Sequence, residues 1–229
     1  MGKKDLSVEV PDGIIISCQA ESDSPLNEPP LLAALAASAE RGGAVAVRAD
    51  NPLNIAAIRR MISVPIIGIY KRDCSGSTVI TPTEESAMEI IEAGALIIAF
   101  EIAAYSSDKD LLKLINSVHA AGAAIMADVA VLEEGRRAVA AGCDAVATTL
   151  SGYREASGYA QPNDPPDFEL VRSLFDIAKG SAKVVAEGRY WTPQDIRHAF
   201  SMGAGAVVIG KAVTSPDAIV RRLISLSHT

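Results

Sequence analysis

The sequence predicts a (β/α)8 barrel formed by residues 1–229 as one domain, and three observations carry that prediction. Eight short apolar runs, rich in Ile, Val and Ala, recur along the chain. Alanine- and leucine-rich segments of helical character separate them, and several of those segments end on glycine just before the next run. Near-continuous apolar runs mark strands covered on both faces, as in parallel sheets. Eight strand–helix units with no linker or low-complexity break fit a single barrel of this length.

In chain order the expected strands are IIISCQ (14–19), AVAVRA (44–49), PIIGIY (65–70), LIIAFE (96–101), AIMADV (124–129), AVATTL (145–150), KVVAEG (183–188) and AVVIG (206–210). Helical segments such as LLAALAASAERGG (31–43) and DLLKLINSVHAAG (110–122) lie between them. The stops are Gly42-Gly43, Gly94, Gly122, Gly142 and Gly203, each placed where a helix needs a left-handed residue to end and turn. An open doubly wound sheet is the competing architecture, but it calls for a glycine-rich turn after the first strand. The chain has QAESDSPLNEPP (19–30) there instead. The longest irregular stretch, SGYREASGYAQPNDPP (151–166), follows the sixth strand, and a loop of that length on a barrel is expected to serve binding.

Composition narrows the function. Hydrophobic residues make up 49% and aromatics only 4%, which suits helices packed closely on strands. A net charge of −7 without a basic stripe argues against nucleic acid as a partner. Cys18, Cys74 and Cys143 are far apart and form no C-x-x-C pair, so a reducing compartment is expected rather than a disulfide framework. The opening MGKKDLSVEV has no apolar signal core, and Gly2 lacks the hydroxyl residue that myristoylation wants at position 6, which is Leu6. No apolar stretch is long enough to span a membrane. The expectation is a soluble cytoplasmic protein with no membrane partner. His119, His198 and His228 read as helix or tail residues, no cluster has metal-ligand spacing, and neither metal nor cofactor is expected.

A barrel carries its active site at the C-terminal ends of its strands. Waiting there are Gln19, Arg48, Lys71, Glu101, Asp128, Thr149 with Ser151, Glu187 with Arg189, and Gly210 with Lys211. The strands mostly begin apolar and end polar; surfaces alone would mark both ends alike. Each candidate also has a plain structural reading. Lys71 could pair with Asp73, Glu187 with Arg189, Asp128 could cap the next helix, and Gln19 and Arg48 could satisfy loop carbonyls. Phosphate in such barrels commonly sits on backbone amides after the seventh and eighth strands, here Gly188, Arg189 and Tyr190, and Gly210 and Lys211.

The blocks GIIISCQ (13–19), the Asp-Ser-Pro-Leu that follows (23–26), GAVAVR (43–48), VPIIGIYKRD (64–73), TTLSGY (148–153) and VAEGRYWTP (185–193) resemble the N-acetylmannosamine-6-phosphate 2-epimerase family. The likeness runs nearly end to end in the same order and spacing. It implies a (β/α)8 barrel that interconverts N-acetylmannosamine 6-phosphate and N-acetylglucosamine 6-phosphate during sialic acid salvage, without a redox cofactor or obligatory metal. The family's catalytic lysine falls on Lys71 and its glutamate on Glu187, with Gln19, Arg48 and Asp128 supporting the substrate. Ser151 and Tyr153 of TTLSGY join that site, and Gly188, Arg189, Gly210 and Lys211 are the implied phosphate ligands. The partner implied is a phosphorylated amino sugar; a homodimer is left open. Several positions depart from the family pattern. Glu101-Ile102-Ala103 replaces Asp, a small residue and Thr, and Ala130-Val131 replaces a Ser-Thr pair. Trp191 stands for Asn, Lys211 for a small hydroxyl residue, and Ser215 for an arginine. A barrel of the same family that binds a phosphosugar or other phosphometabolite without epimerising it is therefore the alternative.

The chemistry sets its own demands. Epimerisation beside a masked carbonyl takes a proton from one face of a carbon and returns one to the other. Lysine serves as the base only when a useful fraction is neutral; lowering it from ~10.4 to ~7.5 costs the charged form roughly 4 kcal/mol. Desolvation under a bound ligand, with Arg48 or Arg72 as a like charge, would supply that. Glu187 would make the complementary transfer, and Asp128 would orient the lysine or hold a sugar hydroxyl.

Overall fold

Eight parallel strands close on themselves: β1 (Gly13–Ser17), β2 (Ala46–Asp50), β3 (Ile66–Ile69), β6 (Ile97–Glu101), β7 (Ala124–Asp128), β8 (Ala145–Ala147), β9 (Lys183–Glu187) and β10 (Ala206–Ile209), with β10 pairing back onto β1. The computed structural model describes residues 8–74, 76–160 and 164–227, so Gly2, Leu6 and His228 lie outside the described residues. The predicted (β/α)8 barrel is the fold observed. Helices α1 (Pro29–Arg41), α2 (Pro52–Arg59), α3 (Glu84–Glu92), α4 (Asp108–Ala120), α5 (Leu132–Ala141), α6 (Phe168–Ala178) and α7 (Pro193–Ser201) alternate with the strands. A short α8 (Lys211–Thr214) and a longer α9 (Pro216–Ser227) follow the last strand.

The alternation along each strand splits the core in two, because successive side chains point to opposite faces. One set, including Val47, Ile66, Ile98, Phe100, Ile125, Val184 and Val207, joins the helices in an outer cluster. The other set, including Ile15, Ala46, Ile67, Ile69, Ile97, Ala99, Met126, Ala147, Val185 and Val208, fills the barrel. Alanine is frequent in that inner set, which lets Ile and Met from neighbouring strands meet across the axis at native density. Gly68 on β3 is needed for the outer packing, since a Cβ there would stand 2.6 Å from the Ala95 Cβ.

Helix ends follow the glycine reading. Gly43, Gly94, Gly122, Gly142 and Gly203 all take positive φ, from 80° to 109°. Gly42, the first of its pair, is still right-handed (φ −76°) and serves as the cap residue before the turn.

Most strand ends fall within one or two residues of the expected ones, and two departures have a clear local cause. The strand expected over 145–150 ends at Ala147. Thr148 then takes over the pairing with β9 through its side chain, donating Oγ1–H to Glu187 C=O (2.8 Å) and accepting from Glu187 N–H (3.0 Å). The third strand does not run on to Tyr70. The chain leaves the barrel into an antiparallel hairpin, β4 (Lys71–Cys74) with β5 (Ser77–Ile80), which the sequence reading missed. Gly76 turns it at φ 84° and donates its N–H to Asp73 Oδ1 (2.9 Å), so Asp73 closes the hairpin rather than pairing with Lys71.

Candidate active site

Continuing the inward alternation two residues past the last apolar layer reaches Ser17, Arg48, Lys71, Glu101, Asp128, Thr149, Glu187 and Gly210. The polar crown of the barrel is thus the same set of strand-end positions singled out in the sequence, with Ser17 standing below Gln19. A cavity of about 830 Å³ opens above it. Gln19, Lys71, Tyr153, Glu187, Gly188, Arg189, Gly210 and Lys211 all line that cavity, together with Ser17, Thr149, Tyr190 and Trp191.

Arg48 lies at the centre of the crown's buried side, and only 1% of it is exposed. Its guanidinium donates two bonds to Asp128, Nη1 to Oδ1 (3.1 Å) and Nη2 to Oδ2 (2.5 Å), and Nη1 also reaches Glu187 Oε2 (2.7 Å). The Thr149 hydroxyl lies within 2.7 Å of Asp128 Oδ1 and 3.0 Å of Glu187 Oε2. Burial alone would lower the Arg48 pKa, but Asp128 and Glu187 hold it above its usual value. Desolvation raises the Glu187 carboxyl above the ordinary range, Arg48 opposes that rise, and Asp128 adds to it. A charge count gives the same direction: one buried guanidinium facing two carboxyls is neutral when one carboxyl keeps its proton. Asp128 is fully buried, so the exposed edge of this cluster is Glu187, at 14%.

Asp128 neither orients Lys71 nor caps the next helix, because Arg48 and Thr149 occupy its carboxylate and the cap residue of α5 is Val131. Arg48 likewise directs its Nη donors to the two carboxyls rather than to loop carbonyls, and among the described residues its buried Nε has no partner. Ser151 is buried away from the cavity lining and donates to Asp167 Oδ2 (2.6 Å), while Asp167 Oδ1 caps α6 through Leu170 N–H (2.9 Å). Ser151 therefore ties the long loop to α6.

Lys71 stands on the opposite kind of support. It is exposed on the hairpin, and its backbone N–H donates to Asp50 Oδ1 (2.9 Å) at the end of β2. The base of the hairpin is pinned by Thr81, whose hydroxyl donates to Ala99 C=O (2.7 Å) and accepts from Tyr70 N–H (3.0 Å). A second clamp is Glu101, which accepts Ile80 N–H (3.4 Å) and ion-pairs with Arg154 from the long loop. Arg154 also donates Nη2 to Thr78 C=O (3.1 Å), so one arginine joins loop, hairpin and barrel. Burial holds the Glu101 carboxyl above its usual range, against the pull of Arg154. Sequence reasoning named Glu101 but not Arg154; its place in the longest loop was the available signal.

After β9 the chain turns through two left-handed residues, Gly188 (φ 108°) and Arg189 (φ 63°). Arg189 is held by donating Nε to Pro165 C=O (2.9 Å) and Nη1 to Ser151 C=O (2.7 Å), beneath the half-exposed Tyr153 ring. Strain of this kind gathers at functional turns. A capping box between Thr192 and Asp195 then starts α7. After β10, Val213 and Thr214 N–H both donate to Gly210 C=O (2.8 and 3.0 Å), leaving the Lys211 and Ala212 amides ahead of that turn at the cavity wall. The Lys211 ammonium sits 3.2 Å from Glu21 Oε1. Among the described residues, Gln19 Oε1 and Tyr190 Oη on the wall are buried without a partner. Gln19 donates its amide to Ser17 Oγ (2.8 Å), so a ligand can satisfy the remaining oxygen.

Elsewhere, the His119 ring meets Asp144 at 2.8 Å and His198 packs edge-on to Phe168. Among the described residues no group of three or more His, Cys, Asp or Glu is disposed to hold a metal ion.

Comparison with known proteins gives the family. The sequence profile of the family described as "Putative N-acetylmannosamine-6-phosphate epimerase" matches residues 32–228. The chain is 40% identical over 227 residues to a protein named "Putative N-acetylmannosamine-6-phosphate 2-epimerase" from Caldanaerobacter subterraneus, covering 96% of this chain and 93% of that one. It is 36% identical over 220 residues to the protein of the same name from Clostridium perfringens, covering 95% and 97%. The solved structure of the Clostridium perfringens N-acetylmannosamine-6-phosphate 2-epimerase superposes with a TM-score of 0.83 at 35% identity, over 93% of this chain and 92% of that one. The chain belongs to the N-acetylmannosamine-6-phosphate 2-epimerase family.

Proposed function

We propose that the protein interconverts N-acetylmannosamine 6-phosphate and N-acetylglucosamine 6-phosphate by proton transfer at C2, in amino-sugar and sialic acid catabolism. The observation that carries this reading is the pairing of Lys71 and Glu187 across one cavity, the carboxyl held ready to keep a proton by its buried neighbours. In the open-chain aldehyde form, one of the two groups takes the C2 proton. The C–H electron pair moves into a C1–C2 double bond and the carbonyl electrons move onto O1. The other group then delivers a proton to the opposite face of C2 as O1 recovers its double bond, and the roles exchange in the reverse direction. Arg48, Asp128 and Thr149 fix Glu187 for that task. Gln19 Oε1 is an acceptor for a substrate N–H or O–H, and Tyr153 forms part of the wall. The phosphate is taken by amides around Gly188–Arg189 and Gly210–Lys211, with Lys211 leaving Glu21 to assist.

The whole chain acts as one domain in this reading, in the cytoplasm, with no nucleic-acid partner. Among the described residues no helix is long and apolar enough to cross a membrane. Homodimer formation is supported by α9, which buries none of its residues although Val220, Leu223 and Ile224 are each more than half exposed. Size-exclusion chromatography with light scattering tests it.

The deciding experiment incubates the protein with N-acetylmannosamine 6-phosphate in heavy water and follows C2 by NMR. Deuterium at C2 with appearance of the epimer is the expected outcome. Tight binding with neither exchange nor conversion would leave a phosphosugar-binding barrel without epimerase activity.

A further inference from the structure

Five cationic side chains line the cavity: Lys71, Arg189, Lys211, Arg221 and Arg222. Three of them are engaged, Arg189 with two loop carbonyls, Lys211 with Glu21, and Arg221 with Asp217 one turn back on α9. Among the described residues, the Lys71 ammonium and the Arg222 guanidinium have neither a hydrogen-bond nor a carboxylate partner. Lys71 belongs to the proton-transfer pair. Arg222 has no role yet.

Its surroundings are specific. The Arg222 guanidinium lies over the Trp191 ring, 4.7 Å from the centroid. Stacking of this kind holds the head group by its face and leaves the N–H edge open. Trp191 is itself fixed at the start of the α7 capping box, its N–H directed at Asp195 Oδ2 (3.4 Å). The aromatic ring thus orients a rigid fork of donors, half-buried at the same wall that carries the Gly188 and Gly210 turns. Ser215 lines this wall too and brings no charge. A planar fork held by its face suits two oxygens of one phosphate.

We propose that Arg222, presented by Trp191, is the phosphate clamp of this protein and supplies its main charge from the C-terminal helix. The inference rests on the phosphosugar reading above and names the residue that recognises the phosphate. The phosphate oxygens accept from Arg222 while the backbone amides of the two turns complete the shell. Arg221, its neighbour in sequence, is more exposed and already paired, so it contributes far less.

The test measures binding of inorganic phosphate to the full chain by calorimetry, and KM and kcat for N-acetylmannosamine 6-phosphate. Arg222→Ala should weaken phosphate binding and raise KM by about 10-fold, equivalent to ~1.4 kcal/mol, with kcat changed by less than about threefold. Arg222→Lys should recover only part, because an ammonium cannot donate as a fork. Trp191→Ala should move KM in the same direction. An Arg222→Ala protein with unchanged phosphate affinity overturns the proposal, as does an equal loss in Arg221→Ala, which would reveal only a diffuse charge effect of the helix. Wild-type protein that binds phosphate through Arg222 yet does not epimerise would sink the epimerase reading and leave the clamp standing.

Discussion

Glu187 and Lys71 face one cavity from two differently built walls. The Glu187 wall is buried: Arg48, Asp128 and Thr149 hold the carboxyl with bonds of 2.5–3.1 Å among them, all from barrel strands or the residues just after them. The Lys71 wall is an exposed hairpin outside the barrel, pinned through Asp50, Thr81, and the Glu101–Arg154 pair. The first wall sets a protonation state through fixed charges. The second sets a position and, among the described residues, gives its ammonium no hydrogen bond or close ion pair. The proposed proton transfer needs both, a carboxyl that does not drift and a lysine that a bound sugar can cover.

If the walls differ as described, breaking the buried one should cost the fold first. Asp128→Ala leaves Arg48 buried without its bidentate partner, so the midpoint of urea unfolding should fall by an amount equivalent to about 3–5 kcal/mol. Lys71→Ala should stay within about 0.5 kcal/mol of wild type, as an exposed site does. Equal stability losses would erase the comparison. In activity the order reverses to its own extreme: Lys71→Ala should lose turnover by at least roughly 10²-fold with phosphosugar affinity kept, and Lys71→Arg should not rescue it, because a guanidinium stays protonated. Near-normal epimerisation by Lys71→Ala would reduce the lysine to a surface charge.

A smaller effect sharpens the second wall. Arg154→Ala removes the tie between loop, hairpin and β6 and leaves Glu101 unpaired, so kcat should drop by on the order of 10-fold, as expected for a displaced catalytic group, with KM much less affected. Arg154→Lys should restore part of it, and a change in KM alone would mean that the arginine touches the sugar instead.

The smallest effect reads the electrostatics of the first wall. In the proposed mechanism the Lys71–Glu187 pair works while it shares one proton, so activity should fall at low pH. Asp128 helps to raise the Glu187 pKa; removing its charge in Asp128→Asn lets Glu187 ionise at lower pH. The acid limb of kcat against pH should therefore move to lower pH, and a shift to higher pH would contradict the charge count.

Much of the barrel and its crown was legible in the sequence because both follow period-two alternation: apolar inward residues fill the barrel, and the next inward position is polar at seven strand ends and glycine at the eighth. What escaped had no periodic signature. The hairpin reads as a strand end because Lys71 directly follows an apolar run, although Asp73, Gly76 and the β-branched run Thr78–Ile80 are turn and strand signals. Ser151 reads as a ligand from its block, but its role is fixed by Asp167, which no local pattern reveals. Arg154 and Arg222 act across long stretches of chain, where only the folded arrangement brings them to the mouth.

The hairpin also decides which thiol the outside world can reach. Burial pushes Cys18 and Cys143 up to about 12, so at neutral pH they are sealed and protonated. Cys74 is exposed at the end of β4, three residues beyond Lys71. A maleimide dye added to the unaltered protein should therefore mark a single position, and its emission should change when a sugar binds beside Lys71.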